Sequence, residues 1–112
     1  MEWLSQRQTE FGGYNGRTNK LIDSCYSFWV GSIFNILNNY FAGTVSHENH
    51  LLYLEADLQR YILFYCQDLK KGGLWDKPGK SRDMYHTCYA LSGLSASAEL
   101  GGCLNGAKLE AI

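Results

Sequence analysis

The spacing of apolar residues divides the chain into two kinds of helix. Residues from about 20 to 41 are apolar on almost every side, which is typical of a helix enclosed by a larger structure. Between residues 47 and 67, leucine and tyrosine recur at three- and four-residue spacing among charged residues, which predicts an outer, half-exposed helix. A further apolar helix is predicted from about Asp83 to Leu100. The pattern therefore predicts an all-α fold in which inner and outer helices alternate.

The chain also shows an internal repeat. A separation of 60 residues relates Gly12 to Gly72, Asp23 to Asp83, and Ser27 to Thr87. We predict two copies of one helical-hairpin unit in a single domain, at about 1–41 and about 47–100, and assign no structure to a tail at 101–112. Helical repeats usually need about three units for stability, and the first unit here lacks an outer helix. We therefore expect a fragment of a larger repeat domain.

Composition and charge narrow the classes of function. The formal net charge of -1 gives no bulk reason to expect binding to nucleic acid or to a membrane surface, so an anion site must be local. No signal peptide is recognised, and no run of about 18 apolar residues occurs. We expect a cytoplasmic protein with no nucleic-acid partner and no stable membrane insertion. In that compartment the four cysteines are expected to be reduced thiols.

The stretch from residue 12 to residue 29 combines features of an anion site and a metal site. Arg17 and Lys20 supply positive charge beside a glycine-rich turn. Asp23 and Cys25 offer one hard and one soft ligand. Because these two residues are only two positions apart, a regular helix would direct them to opposite sides. Asp23 must therefore lie at or before the first helical turn.

A third ligand is available from the second unit. If corresponding inner helices lie side by side with their N-termini at the same end, Asp83 and His86 reach the end that carries Asp23 and Cys25. Asp23, Cys25 and His86 would then form a three-ligand zinc site with an open fourth position. Spacing by itself leaves simpler interpretations open. A histidine at a helix start often caps the helix, and the lysines and arginines could be solvated loop charges. The aromatic residues Tyr26, Phe28 and Trp29 could belong to the core.

Two segments carry a resemblance to a known family. They are residues 16–29 (GRTNKLIDSCYSFW) and 76–89 (DKPGKSRDMYHTCY), the second followed by LSGLS at 91–95. Over about residues 1–97 the chain closely resembles the β subunits of protein farnesyltransferases. The resemblance implies a partial α-α barrel, or toroid, in which inner helices line a central funnel and outer helices surround it. It also implies that this chain is the later part of that barrel.

The resemblance implies roles for individual residues. Zinc would be bound by Asp23, Cys25 and His86, and magnesium by Asp76. The prenyl diphosphate would be held by Arg17, Lys20 and Tyr26, which would also act in catalysis. Trp29 would line the isoprenoid tunnel, Tyr85 would contact both the isoprenoid and the peptide, and Tyr89 would help to shorten the tunnel. The implied partners are the α subunit of the heterodimer, farnesyl diphosphate, and proteins that end in a CaaX box.

Three alternatives remain open from the sequence. The weakest is a terpene-cyclase-like barrel, which has a similar repeat architecture but does not need the Asp-x-Cys and His set. The type I geranylgeranyltransferase β subunits resemble this chain too, but that resemblance would predict Lys at position 76 and Phe at position 89, whereas the chain has Asp76 and Tyr89. A non-catalytic helical-repeat interaction module would have no use for an open zinc site. We therefore favour a farnesyltransferase β-subunit fragment, and we expect the isolated 112 residues to be inactive and poorly folded.

Overall fold

The computed structural model describes residues 2–41 and 54–101. In these ranges the helices are α1 (Glu2–Ser5), α2 (Tyr26–Trp29), α3 (Gly31–Phe41), α4 (Glu55–Arg60) and α5 (Met84–Gly101), and a π-helical turn, Tyr61–Tyr65, continues α4. Outside the helices, isolated antiparallel bridges pair Gln8 with Tyr14, Asn15 with Ile22, Gln67 with Leu74, and Leu74 with Asp83. The described chain is thus helical, with loops that are fixed by short backbone pairings.

The inner helix of the first unit begins later than the sequence predicts. Helix was predicted from about residue 20, but α2 starts at Tyr26 and, after an interruption at Val30, continues as α3 to Phe41. The earlier residues use their backbone donors in other contacts, since Asp23 N–H donates to Tyr14 O (3.0 Å) and Ser24 N–H donates to Asp76 O (2.9 Å). Tertiary hydrogen bonds therefore replace the first predicted helical turns.

The second unit agrees more closely with its predicted helices. The helix predicted over 47–67 is observed as α4 and its π-helical turn, Glu55 to Tyr65, while residues 47–53 lie outside the described residues. Helix α5 spans Met84–Gly101 where about 83–100 was predicted. The tail from 102 onward also lies outside the described residues. The main features of this unit therefore follow from apolar spacing.

The loops before the two inner helices share a backbone hydrogen-bond pattern. The matching donor–acceptor pairs are Thr9 N to Gly13 O and Asp68 N to Gly73 O, Asn15 N to Arg7 O and Trp75 N to Cys66 O, and Asp23 N to Tyr14 O and Asp83 N to Leu74 O. The second loop has one more residue in its glycine turn. Gly12 and Gly72 both adopt positive φ, at 94° and 77°, which glycine does without steric cost.

The core lies where the inner helices meet α4. Its buried apolar residues include Leu4, Tyr14, Val30, Phe34, Leu58, Tyr61, Ile62, Cys66, Leu74, Ala90 and Leu94. Helices α2 and α5 approach so closely at Gly93 that a Cβ there would collide with Ser27 and with the backbone of Phe28. This packing sets the N-terminal ends of α2 and α5 beside each other.

Within the described ranges, Cys25, Cys66 and Cys88 are free thiols. None of the helices in ranges 2–41 and 54–101 is both long enough and apolar enough to span a membrane.

Candidate metal centre and anion cleft

Three side chains from the two units meet at the helix starts. Ligand atoms of Asp23, Cys25 and His86 all lie within 4.8 Å of one another. Asp23 lies just before α2 in a non-helical loop, Cys25 immediately precedes the helix, and His86 lies in the first turn of α5. Asp23 Oδ1 accepts the Cys25 backbone N–H at 2.9 Å. The loop conformation thus lets two residues only two positions apart face the same point.

A second carboxylate orients His86. Asp83 accepts the His86 backbone N–H through Oδ1 (2.7 Å) and lies 2.7 Å from the ring Nδ1 through Oδ2. Donation from His86 to this carboxylate lowers the pKa of Asp83. When Nδ1 carries the proton in this pair, the lone pair of Nε2 faces Asp23 and Cys25. This carboxylate–histidine pairing is the usual outer support of a metal-binding histidine.

The remaining His86 nitrogen is buried and has no well-formed hydrogen bond in the described part of the chain. His86 Nε2 lies 3.1 Å from Asp23 Oδ1, a distance that would give an ion pair only if the imidazole were protonated. A buried polar atom without a partner is costly, and a cation between Nε2 and the Asp23 carboxylate would satisfy both.

The cysteine of the cluster is poorly suited to ionise in a metal-free site. Burial, together with hydrogen bonding and charge from Asp23, raises the pKa of Cys25 to about 12. A bound metal cation reverses this effect because it stabilises the thiolate directly. One carboxylate, one thiol and one imidazole therefore fit a divalent cation better than they fit a metal-free polar cluster.

A cationic cleft adjoins the cluster. It has a volume of about 420 Å³ and is lined by Gly16, Arg17, Lys20, Leu21, Asp23, Tyr26 and Lys77. The Tyr26 ring packs directly on Gly16, where a Cβ would collide with the phenol. The cleft therefore brings together Arg17, Lys20 and Tyr26 as predicted for an anion site, and Asp23 connects it to the metal cluster.

Lys77 is a cleft residue that the sequence pattern does not single out. Its position between Asp76 and Pro78 gave no signal beyond a basic loop. In the structure Lys77 Nζ lies 2.6 Å from each carboxylate oxygen of Asp76. Asp76, the residue expected to bind magnesium, is thus paired with a cation and lies beside the cleft.

Aromatic rings form a wall next to the cluster. The Tyr89 ring lies 4.7 Å from Trp29, 4.8 Å from Tyr85 and 5.4 Å from Phe28, between ring centroids. Trp29 Nε1 donates to the Tyr85 hydroxyl at 3.0 Å. Trp29 and Tyr85 are each about half exposed, so this wall faces open space beside His86. Such a surface suits an apolar, extended ligand.

The fold and the site define a class of protein: a helical domain with an Asp, Cys and His cluster, a cationic cleft and an aromatic wall beside one another. The sequence model of the family described as "Prenyltransferase alpha-alpha toroid domain" matches residues 1–111. The chain therefore belongs to the prenyltransferase α-α toroid family, which confirms the predicted all-α, partial toroid fold.

Comparison with individual proteins gives a more specific similarity than the family model does. The chain is similar to protein farnesyltransferase β subunits, with 41% identity to that of Dictyostelium discoideum and 48% to that of Pyricularia oryzae, over 85% and 87% of this chain. Its structure resembles Candida albicans protein geranylgeranyltransferase-I complexed with GGPP at a TM-score of 0.67 and 29% identity, covering 88% of this chain and 29% of that one. The chain spans 22% and 20% of the length of the two curated relatives.

Proposed function

We propose that this chain is part of the β subunit of a zinc-dependent protein farnesyltransferase. The reaction would transfer a farnesyl group from farnesyl diphosphate to the cysteine thiol of a C-terminal CaaX motif. The observation that carries the proposal is the convergence of Asp23, Cys25 and His86 within 4.8 Å, beside a cationic cleft and an aromatic wall. The similarity to farnesyltransferase β subunits supports the choice of reaction.

Zinc is the metal that best suits the cluster. A mixed Asp, Cys and His ligand set with an open fourth position is typical of zinc sites that bind a substrate. Bound zinc would lower the pKa of an incoming cysteine thiol, so that a thiolate is present at neutral pH. Asp83 would hold His86 in the tautomer that presents Nε2 to the metal.

The cleft supplies the charge needed at the leaving group. During transfer the bond between C1 and the diphosphate oxygen breaks, the bond between sulfur and C1 forms, and the diphosphate leaves with the electron pair. The thiol proton has already passed to solvent. Arg17, Lys20, Lys77 and the Tyr26 hydroxyl line the cleft where that negative charge would develop. Fixed donors placed there lower the barrier because they bind the leaving group more strongly as its charge grows.

Magnesium is the second proposed cofactor, with Asp76 as its ligand. A magnesium ion held by Asp76 would supply further positive charge to the diphosphate in the cleft. The Asp76 carboxylate is paired with Lys77, so magnesium binding would exchange one cation partner for another. We further propose that the chain pairs with an α subunit, that its substrates are CaaX-box proteins, and that it acts in the cytoplasm.

Farnesyl is favoured over geranylgeranyl. Tyr89 lies at the centre of the aromatic wall, in contact with Trp29 and Tyr85, where its phenol would narrow the space open to a prenyl chain. The curated relatives at 41% and 48% identity are farnesyltransferase subunits, whereas the geranylgeranyltransferase-I structure is 29% identical.

Competition between the two prenyl donors tests this function. We expect the complete chain that contains these residues, co-purified with an α subunit, to transfer farnesyl in preference to geranylgeranyl to a CaaX peptide. In Tyr89→Phe the preference should shift toward geranylgeranyl, while Tyr65→Phe, on the outer helix, should leave it unchanged. Transfer of neither group by the unmodified complex would reject the proposed reaction.

A further inference from the structure

One backbone carbonyl joins the loops that carry the candidate site. Asp76 O accepts the Ser24 backbone N–H at 2.9 Å and the Tyr61 hydroxyl at 3.1 Å. The thiol of Cys66 lies 3.7 Å from the same oxygen. Ser24 lies between Asp23 and Cys25 in the sequence, so the two ligands of the first unit are attached to the second unit through this carbonyl.

A second hydrogen bond strengthens the same attachment. The Ser24 hydroxyl donates to Trp75 O at 2.7 Å, one residue before Asp76. On the other side of the loop, Asp83 N–H donates to Leu74 O at 3.3 Å, which connects the start of α5 to the same stretch. Residues 74–76 therefore lie between the two parts of the metal cluster.

The π-helical turn explains how Tyr61 and Cys66 reach one acceptor. In a regular α-helix, residues five positions apart lie about 140° apart around the axis and point in different directions. The turn Tyr61–Tyr65 has the wider π-helical form, whose hydrogen bonds connect residues five apart. This uncommon conformation brings both side chains to the Asp76 carbonyl.

The position of Tyr61 is closely determined by its surroundings. Its side chain is buried, and a Cβ added at Gly13 would collide with its ring. A buried hydroxyl requires a hydrogen-bond partner, and the Asp76 carbonyl provides it. Tyr61 thus contacts the glycine loop of the first unit with its ring and the loop of the second unit with its hydroxyl.

We propose that Tyr61 is a positioning residue for the candidate metal centre: its hydroxyl fixes the Asp76 carbonyl that binds Ser24, and so sets the separation of Asp23 and Cys25 from His86. The attachment between the two loops is formed by the hydrogen bonds of Ser24 and Tyr61 described above, and it does not depend on the proposed function. Its consequence for metal binding rests on the function proposed above.

Hydrogen exchange tests the attachment without any metal. In the metal-free complex of the complete chain with its α subunit, Tyr61→Phe removes the hydroxyl and keeps the ring. We expect amide exchange in segments 22–26 and 74–77 to become about fivefold faster, as for loss of one ordinary hydrogen bond. Tyr65→Phe is the matched control: the same substitution four residues later, on a half-exposed ring stacked 6.1 Å from Tyr61.

Cobalt binding tests the consequence for the ligands. The Co²⁺ affinity of Tyr61→Phe, measured from thiolate-to-cobalt absorption, should fall about tenfold, the lower range for loss of an outer supporting group. Tyr65→Phe should bind Co²⁺ with the affinity of the unmodified complex. Cys66→Ala, which removes the weaker donor to Asp76, should change exchange and affinity in the same direction by a smaller factor.

The outcomes separate this inference from the proposed function. The positioning role would be overturned if amide exchange in segments 22–26 and 74–77 did not change in Tyr61→Phe. It would also be overturned if amide exchange became faster evenly over the whole core. Faster loop exchange in a complex that binds neither Co²⁺ nor Zn²⁺ would support the attachment and reject the zinc proposal. If Tyr61→Phe does not fold, the exchange of Cys66→Ala decides: no change in loops 22–26 and 74–77 would also overturn the inference.

Discussion

At the scale of single residues, the orientation of His86 depends on Asp83. The Asp83 carboxylate serves both as the acceptor at the start of α5, through the His86 backbone N–H, and as the partner of ring Nδ1. An asparagine would keep the first hydrogen bond through its oxygen. Its amide nitrogen would instead face Nδ1 and favour the tautomer with the proton on Nε2.

We therefore expect Asp83→Asn to weaken zinc binding by about 10- to 100-fold, the usual effect of removing an outer partner of a metal ligand. The measurement is a competition titration with a zinc chelator. Asp57→Asn provides the control, because Asp57 is a half-exposed residue that pairs with Arg60 on the outer helix, away from the cluster. Equal zinc affinity in both variants would show that Asp83 acts only in capping α5.

Lys77 is expected to act on the diphosphate. In Lys77→Met the cleft loses one of its cations, so farnesyl transfer by the complete complex should slow by about tenfold or more. Lys80→Met, three residues later on an exposed part of the loop, should retain the original rate. Single-turnover kinetics measure the farnesyl-transfer step directly. Equal rates for Lys77→Met and Lys80→Met would show that Lys77 does not act on the diphosphate.

At the scale of elements, the close approach of α2 and α5 brings the two halves of the cluster together. Cys25 precedes α2 and His86 lies in α5, and the two helices touch at Gly93. The absence of a side chain at Gly93 is therefore a condition for the ligand separation, since any Cβ there would displace Ser27.

Gly93→Ala should separate these helices. Overpacking in a buried contact costs about 1–3 kcal/mol, and we expect a loss of stability in this range with a parallel loss of zinc affinity. Denaturant unfolding and chelator competition on the complete complex measure the two effects. Ser95→Ala, at an exposed position of the same helix, should change neither quantity. A stable variant with full zinc affinity would contradict the importance of this contact.

Much of the helical pattern could be predicted from apolar spacing, whereas contacts between units could not. The start of α2 was predicted about six residues too early, because the backbone N–H of Asp23 donates to Tyr14 O in the preceding loop and that of Ser24 donates to Asp76 O, which is far away in sequence. The proposed roles of Lys77 and Tyr61 were also missed, because both depend on contacts with Asp76 that the apolar spacing does not reveal. By contrast, chemical type and repeat position named Asp23, Cys25 and His86 as candidate ligands, the family resemblance favoured them, and the structure brings the three side chains together.

At the scale of the whole molecule, the chain spans 20–25% of the length of its first curated relatives. Many large apolar side chains are exposed in the described ranges; examples are Ile36, Tyr40, Phe64, Leu69 and Met84. We expect these side chains to contact other parts of the complete protein, since large contiguous apolar surfaces mark interaction sites.

We therefore expect the isolated 112-residue chain to unfold without a single cooperative transition and to show no farnesyl transfer. Circular dichroism during heating, with a CaaX peptide assay on the same sample, provides the measurement. A sharp transition together with transfer activity would show that these two units suffice for folding and catalysis, and the expectation would then be wrong.

We propose that Asp23, Cys25 and His86 together bind one zinc ion. Metal analysis of the purified complex measures this binding. The complete chain, purified with an α subunit and measured by inductively coupled plasma mass spectrometry, should contain one zinc per complex. Cys25→Ala should lose most of it, and Cys88→Ala, which alters an exposed thiol on α5, should keep it. Zinc absent from the unmodified complex, or equal in both cysteine variants, would contradict the claim.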